Sequence, residues 1–346
     1  MQRILVVPGA LIGAPDWDEA AQALIAHGIE PALAPLRRAP RHSRALRSAW
    51  SDGAAHLQWL ADAFRVTAEP PPTAAYAWQA DAGQDGADAD QVWFCDPVHL
   101  ILKPDRTVLS PIERPALDEN ELASLLADAA NSAHDAGARL QVQSGRWYLR
   151  LAPGWDLQSV PLQAALGAPV EARLPRGADA WRWRRLLNEV QMRWHANPVN
   201  QAREARGEPT AMQPQGVGGG RWQPLPTSPF ARIEGDDPVL IGWQRAAVGP
   251  APGRPQGRLL SVWPDLFESY WRRDWPAWAA AWTGLQRQLQ GNPGPNGSCS
   301  PGKVDLIACG RRSAAEFSIG CSGFARLARR ALVPRSLRDC LLEPTA

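Results

Sequence analysis

The chain has 346 residues, 45% apolar and 21% charged, so it can bury a sizeable core and is not globally disordered. Its 37 basic and 35 acidic residues leave a formal charge of +2, which argues against a nucleic-acid binder and against a polybasic membrane binder. No apolar run reaches about 18 residues, so no membrane-spanning helix is expected.

Ile4 to Val7 read as a short buried strand. The apolar stretch from Ile4 to Ala14 is broken by Pro8 and Gly9, which fits strand and loop better than a signal peptide. Asp16 is placed to cap a helix from Trp17 to Ala26, with Gly28 beyond its end. This start fits a parallel α/β sheet. A basic helical stretch is expected from Arg37 to Arg47. Its arginines, Arg37, Arg38, Arg41, Arg44 and Arg47, suit either a solvated face or a grip on phosphates. A helix should run from Gly53 to Phe64, and Glu69 to Asp90, rich in Pro, Ala, Asp and Gly, reads as an exposed connection.

The next block changes character. Val92–Cys95 and Val98–Leu102 are strand-like, with a turn at Lys103-Pro104-Asp105 and pairing resumed from Thr107 to Leu109. Asp118 and Glu121 have capping-box spacing for a helix ending near Ala136. Ser144-Gly145 between Leu140–Gln143 and Trp147–Leu151 is a hairpin signature. The organisation expected is an α/β body, 1–90 and 153–346, with an inserted α+β subdomain at 91–152.

Further along, Trp183, Leu187, Val190 and Trp194 share one face of a helix from Ala180 to Ala196, closed by Pro198. Gly and Pro dominate from Gly207 to Pro229. Val239–Ala247 reads as helix and Arg258–Val262 as strand. Asp274 caps a helix on which Trp275, Trp278, Trp282, Leu285 and Leu289 form one apolar stripe, read as core rather than as an aromatic platform. Asn292–Gly302 is a loop, and Val304–Ala308 and Glu316–Ile319 are strands. A second arginine cluster, Arg326, Arg329, Arg330, Arg335 and Arg338, follows, and suits a solvated face or a partner-binding tail.

Chemistry-bearing motifs are sparse. The six histidines form no HxH or HExxH pair, and no GxSxG, Walker A or GxGxxG motif is present. The five cysteines, Cys95, Cys299, Cys309, Cys321 and Cys340, form no CxxC pair, which points to reduced thiols and a cytoplasmic setting. The richest segment is Leu186–Gly220, where Asn188, Glu189, Asn197, Asn200, Arg203 and Arg206 precede the triple glycine Gly218-Gly219-Gly220. Amides, guanidinium groups and open glycine backbone can together bind an anion. The candidate ligand-binding set is therefore Asn200, Arg203, Arg206, Gly218, Gly219 and Gly220.

These residues carry a resemblance. ILVVPGALI at the start, CDPVHL from Cys95 to Leu100, RWYLRL from Arg146 to Leu151, LLNEVQM, NPVNQAREARG and the triple glycine resemble the RpfE-type regulatory family, a bacterial group of phosphoglycerate mutase-like proteins. More distantly, the Asn197–Gly207 pattern looks like archaeal cofactor-independent phosphoglycerate mutases. The resemblance implies an alkaline-phosphatase-like α/β fold, a mainly parallel sheet flanked by helices with an inserted domain. It also locates departures. The mutase pattern has His where Asn197 stands and Asn where Met212 stands. RpfE-type proteins usually have tryptophans where Gln215 and Val217 stand. The metal-binding Asp-Gly after the first strand is replaced by Pro8-Gly9. The loop from Trp263 to Trp271 offers Asp265 and Glu268 but no His, and Cys309-Gly310 stands where an Asp-His pair should be. Ser51-Asp52 is similar to the enzymes' nucleophile site by a dipeptide alone, so Ser51 is the single catalytic candidate.

In that class a serine oxygen attacks the phosphoryl group between two metal ions, which lower its pKa and neutralise charge. Without the ion-holding side chains, the expectation is no resident metal, no cofactor and a non-catalytic, ligand-binding or regulatory protein. Its expected partners are a small anionic ligand or a protein. The alternatives are a phosphotransfer enzyme with a relocated site using Ser51, Asp52, Asp96 and His99, and a protein-interaction scaffold.

Overall fold

The computed structural model describes residues 2–46, 48–83, 91–111, 117–166, 169–248, 257–290, 303–319 and 334–344. The loop expected at Asn292–Gly302 and the tail residues Arg326, Arg329 and Arg330 lie outside them. The chain divides into two compact units: Met1–Arg65, Thr227–Asp236 and Gly249–Ala346 in the first, Val66–Pro226 and Asp237–Val248 in the second.

In chain order the first unit opens with β1 (Gln2–Pro8), α1 (Trp17–Ala26), α2 (Glu30–Arg38), β2 (Arg41–Ala45) and α3 (Ala55–Phe64). The second follows with α4 (Thr73–Ala82), β3 (Gln91–Phe94), β4 (Pro97–Lys103), β5 (Arg106–Pro111), α5 (Glu119–Asp135), β6 (Ala138–Gln143) and β7 (Arg146–Leu151). It continues through α6 (Leu162–Ala165), α7 (Val170–Arg173), α8 (Ala180–Ala196), α9 (Pro198–Ala205), β8 (Gln213–Pro214) and β9 (Val217–Gly220). β10 (Arg232–Glu234) returns to the first unit and α10 (Pro238–Ala246) to the second. The first unit closes with β11 (Arg258–Val262), α11 (Phe267–Arg272), α12 (Trp275–Gln290), β12 (Val304–Cys309), β13 (Ser313–Ile319) and α13 (Leu337–Leu341).

The first unit is α/β. Its six-stranded sheet has the order β10-β11-β1-β12-β13-β2, with β10, β11, β1 and β12 mutually parallel and β13 antiparallel to both neighbours. β1 and β12 are apolar at nearly every position because a central parallel strand is covered on both faces. Leu5 and Val7 join a cluster built on α1, α2 and α12, while Ile4 and Val6 are equally buried but lie outside it, and α3 packs against β1. The tryptophan stripe of α12 is core, as its spacing predicts: Trp275, Trp278, Trp282 and Leu285 are all buried in that cluster, with Trp278 and Trp282 edge to face.

One expectation here fails. Arg41 to Ala45 are an edge strand paired antiparallel to β13, where a basic helix was expected. Pro40 ends α2 by restricting the residue before it and removing a backbone donor, and the β13 edge then takes the chain.

The second unit carries two antiparallel sheets, β6-β7-β3-β9 and β5-β4-β8. Ser144 and Gly145 both have positive φ, 48° and 72°, the signature of a tight hairpin. The Asp118–Glu121 capping box forms as read. One reading is corrected. Thr73–Ala82 lies inside the stretch read as an exposed connection, yet it is the helix α4, buried from Thr73 to Gln79. Its alanines let α10 approach so closely that a Cβ on Gly242 would meet Tyr76 O at 2.0 Å. The helix α8 ends at Ala196 as the Pro198 stop implies, and Pro198 is itself the first residue of α9, whose N-cap Asn197 accepts from Val199 N at 2.9 Å. The 91–152 segment falls within this unit, whose bounds are wider than the expected insert because α8 packs on α5 and α4 packs on β3 and β9.

Candidate functional site

Open parallel sheets bind ligands at the carboxyl ends of their strands. In the first unit that edge is built by the segments after β1, β11 and β12. Gly9 turns the chain after β1 with φ 74°, a conformation that favours glycine, and the space beside it is taken by Tyr270 and Leu266. Its carbonyl accepts from Trp278 Nε1 at 2.7 Å. Ala10 N and Leu11 N both donate to Cys309 O, so the segment after β1 is sewn to the end of β12 by main chain. Cys309 is fully buried, its thiol lies 3.7 Å from Ile307 O, and burial pushes that thiol far above its ordinary pKa. A buried protonated thiol is a poor nucleophile and a poor metal ligand. Asp265 and Glu268 are exposed, and Glu268 pairs with Arg272 at 2.7 Å.

A polar cluster closes the same edge. The Ala49–Ser51 turn is held against the β12–β13 connection, with Gly53 N donating to Arg311 O and Leu46 N to Arg312 O. Ser51 is 1% exposed and its hydroxyl donates to Ser48 O at 2.8 Å. Asp52 accepts from Arg311 Nε and Nη2 and from Arg312 Nη2, the last at 2.8 Å. Partial burial opposes its ionisation, but the hydrogen bonds from Arg312 and Arg311 prevail and hold the carboxyl down at about 2. Glu343 Oε1 accepts from Arg312 N and Ser313 Oγ. His56, the second residue of α3, is buried edge-on against Phe267, and burial lowers its pKa to about 4.

Every charge in this cluster has an opposite charge or a main-chain partner. A two-metal centre needs several carboxylate or imidazole donors converging at about 2 Å. Here Asp52 is claimed by two guanidinium groups and Glu343 by a main-chain amide and a hydroxyl. Among the described residues no three His, Cys, Asp or Glu side chains gather closely enough to hold an ion. The residues present do not fit the metal pair that the mutase resemblance implies.

The other candidates lie in the second unit. Asn200 is 5% exposed; its amide donates to Trp194 O and Ala211 O at 2.8 and 2.7 Å, and its carbonyl accepts from Ala211 N at 2.9 Å. Arg203, 3% exposed, donates to Pro209 O and pairs with Glu121 at 3.0 Å and Glu208 at 3.4 Å. Arg206 is exposed and bridges Glu121 and Glu208. These groups brace the turn after α9 through those bonds. The triple glycine is β9, a sheet strand rather than a loop. Gly218 N donates to Val160 O, and a Cβ at Gly219 would enter the Trp93 ring. The glycines are there for close packing. Asp96 accepts from Trp147 N, and His99 Nδ1 lies 2.8 Å from Thr210 O. His99 and Asn200 both border a cleft of about 510 Å³, whereas Asp96 lines a separate cavity of about 160 Å³.

Arg311, Arg312 and Glu343 stand at the carboxyl edge of the sheet, and motif reading missed them. The available signal was a pair of arginines directly after a strand that ends at the carboxyl edge.

No protein-family model and no curated protein matches the chain. Among solved structures it is similar to the cofactor-independent phosphoglycerate mutase from Thermoplasma acidophilum DSM 1728, at 12% identity and a TM-score of 0.39, over 99% of this chain and 94% of that one. It is also similar to the PH0037 protein from Pyrococcus horikoshii, at 12% identity and a TM-score of 0.45, over 92% and 87%. Likenesses this distant say nothing about the site. No helix of the described residues is long and apolar enough to cross a membrane.

Proposed function

We propose that this chain is a non-catalytic phosphoglycerate mutase-like protein of the RpfE-type regulatory kind, built on an alkaline-phosphatase-like scaffold. It acts in the bacterial cytoplasm by binding rather than by phosphoryl transfer. The observation that carries this reading is the Ser51-Asp52 pair: the serine hydroxyl is buried and donates to Ser48 O, and the carboxylate beside it is bound by Arg311 and Arg312. A serine nucleophile of this class depends on ions to stabilise its alkoxide and the transferring oxygens. Loss of one such electrostatic contact alone lowers the rate by about a hundredfold to a thousandfold.

Metal analysis and mutase and phosphatase assays on protein equilibrated with manganese or zinc test the reading. The expected result is no tightly held stoichiometric metal and no turnover sensitive to Ser51→Ala. Two ions per chain with turnover abolished by Ser51→Ala would overturn it.

A further inference from the structure

The two arginine-rich stretches play no part in that reading. Folding brings their members Arg41, Arg335 and Arg338 together at the outer edge of the first unit's sheet. Arg41 on β2, Arg335 just before α13 and Arg338 on α13 line an open pocket of about 440 Å³ together with Ser43, Asp339 and Glu343. The two-residue period of a strand puts Arg41 and Ser43 on the same face of β2.

The guanidinium groups are held in place by neutral acceptors. Arg41 Nη1 and Nη2 donate to the main-chain oxygens of Asp339 and Leu342, at 2.9 and 3.0 Å. Arg335 Nη1 donates to Ala39 O, and its own carbonyl accepts from Arg37 Nε at 2.8 Å. A carbonyl fixes a guanidinium without cancelling its charge. Arg41 Nε is a buried donor with no acceptor among the described residues. The Arg338 side chain makes no hydrogen bond or ion pair with a described residue. The two carboxylates of the pocket make their hydrogen bonds to other groups, although Asp339 lies close enough to Arg41 and Arg335 to feel their charge. Asp339 accepts from Ser336 N and Oγ in the α13 capping box, and Glu343 Oε1 accepts from Arg312 N and Ser313 Oγ.

Arg41 and Arg335 are half-buried and close enough for the charge of one to act on the other, with Arg338 exposed beside them. Burial draws Arg41 below its ordinary pKa and the charge of Arg335 adds to this, although Cys340 and Asp339 oppose it. A bound anion would relieve that cost. A carboxylate matches a single guanidinium fork, whereas donors arriving from three side chains match a tetrahedral, multiply charged oxyanion. We propose that this pocket binds a phosphorylated small molecule, with Arg41, Arg335 and Arg338 taking its phosphate group. The proposal stands whether or not the Ser51-Asp52 edge is catalytic.

Isothermal titration calorimetry of the full-length protein with inorganic pyrophosphate, at fixed ionic strength, tests it. One saturable site per chain is expected, weakened about tenfold or more in Arg338→Gln and further in Arg41→Gln. Arg338→Gln should keep the thermal midpoint of the unliganded wild type, since its side chain has no described partner to lose. Absence of a saturable site, or wild-type affinity in Arg338→Gln, would refute the proposal. Citrate binding as tightly as pyrophosphate would refute the phosphate assignment.

Discussion

His56 titrates in a window of its own. Its ring is 7% exposed and lies 5.1 Å from that of Phe267, and burial lowers its pKa to about 4, against 6.5 when unfolded. Below pH 6.5 the unfolded chain takes up a proton that the folded chain refuses, so stability falls as the medium is acidified from 6.5 to 4 and is flat above. The full effect is about 3 kcal/mol. Asp52 acts with the same sign in the next window down: its carboxyl, held down at about 2, contributes stability above its unfolded value of 3.8 that is lost only as pH falls through 3.8 to 2. Urea midpoints should therefore drop between pH 7 and pH 5, and His56→Phe should flatten that drop; an unchanged slope in the variant would place the titration elsewhere. At this scale the sequence was only half legible. Ser51-Asp52 could be found as a dipeptide, but its locking partners Arg311 and Arg312 lie 259 and 260 positions away. Asn200 and Arg203 read as ligand-facing because a residue that braces a turn and one that grips an anion need the same donors.

Elements with a strong period or a turn signal were legible: β1, the Ser144-Gly145 hairpin, α5 with its capping box, and the tryptophan face of α12. β2 and α4 were not, because tertiary context decided both. The polar sequence Arg41–Ala45 becomes a strand only because β13 offers an edge, and Ala-rich α4 carries little amphipathic pattern because it is buried nearly all round. The glycines before and within β9 show the same dependence. Trp93 and Trp183 stack at 5.9 Å with 22° between their planes. Gly219 rests on the Trp93 ring and Gly216 on Trp183, where added Cβ atoms would meet ring carbons at 2.1 and 2.5 Å. Gly219→Ala should therefore cost about 1–3 kcal/mol, the usual range for overpacking. Gly13, whose added Cβ would find its nearest neighbour at 3.7 Å, provides the control. If chemical denaturation gives Gly219→Ala and Gly13→Ala the same small effect, the packing account of the triple glycine is wrong and its role as an exposed cradle returns.

At the scale of the molecule, composition marked where the chain becomes strand-rich but not where a folding unit begins and ends. That boundary depends on which elements cover which. β10 belongs to the first unit's sheet, yet the helix that follows it, α10, belongs to the second. Its Trp243 is fully buried with its ring 6.2 Å from Tyr76, Arg245 donates to Gln79 O and Ala80 O, and Leu225 N donates to Ala246 O. Burying one indole of 150–250 Å² contributes roughly 4–6 kcal/mol of transfer free energy, comparable to the net stability of many domains. A fragment covering 66–226 would keep every strand of both antiparallel sheets and lose this one helix. A fragment covering 66–248 would keep the helix and carry 232–234 as a loop without its β11 partner. The longer fragment should melt cooperatively with native-like near-ultraviolet dichroism, and the shorter one should bind a hydrophobic dye and lack a cooperative transition. Equal cooperativity in the two would show that α10 is a passenger. Failure of both would show that the second unit does not fold on its own residues.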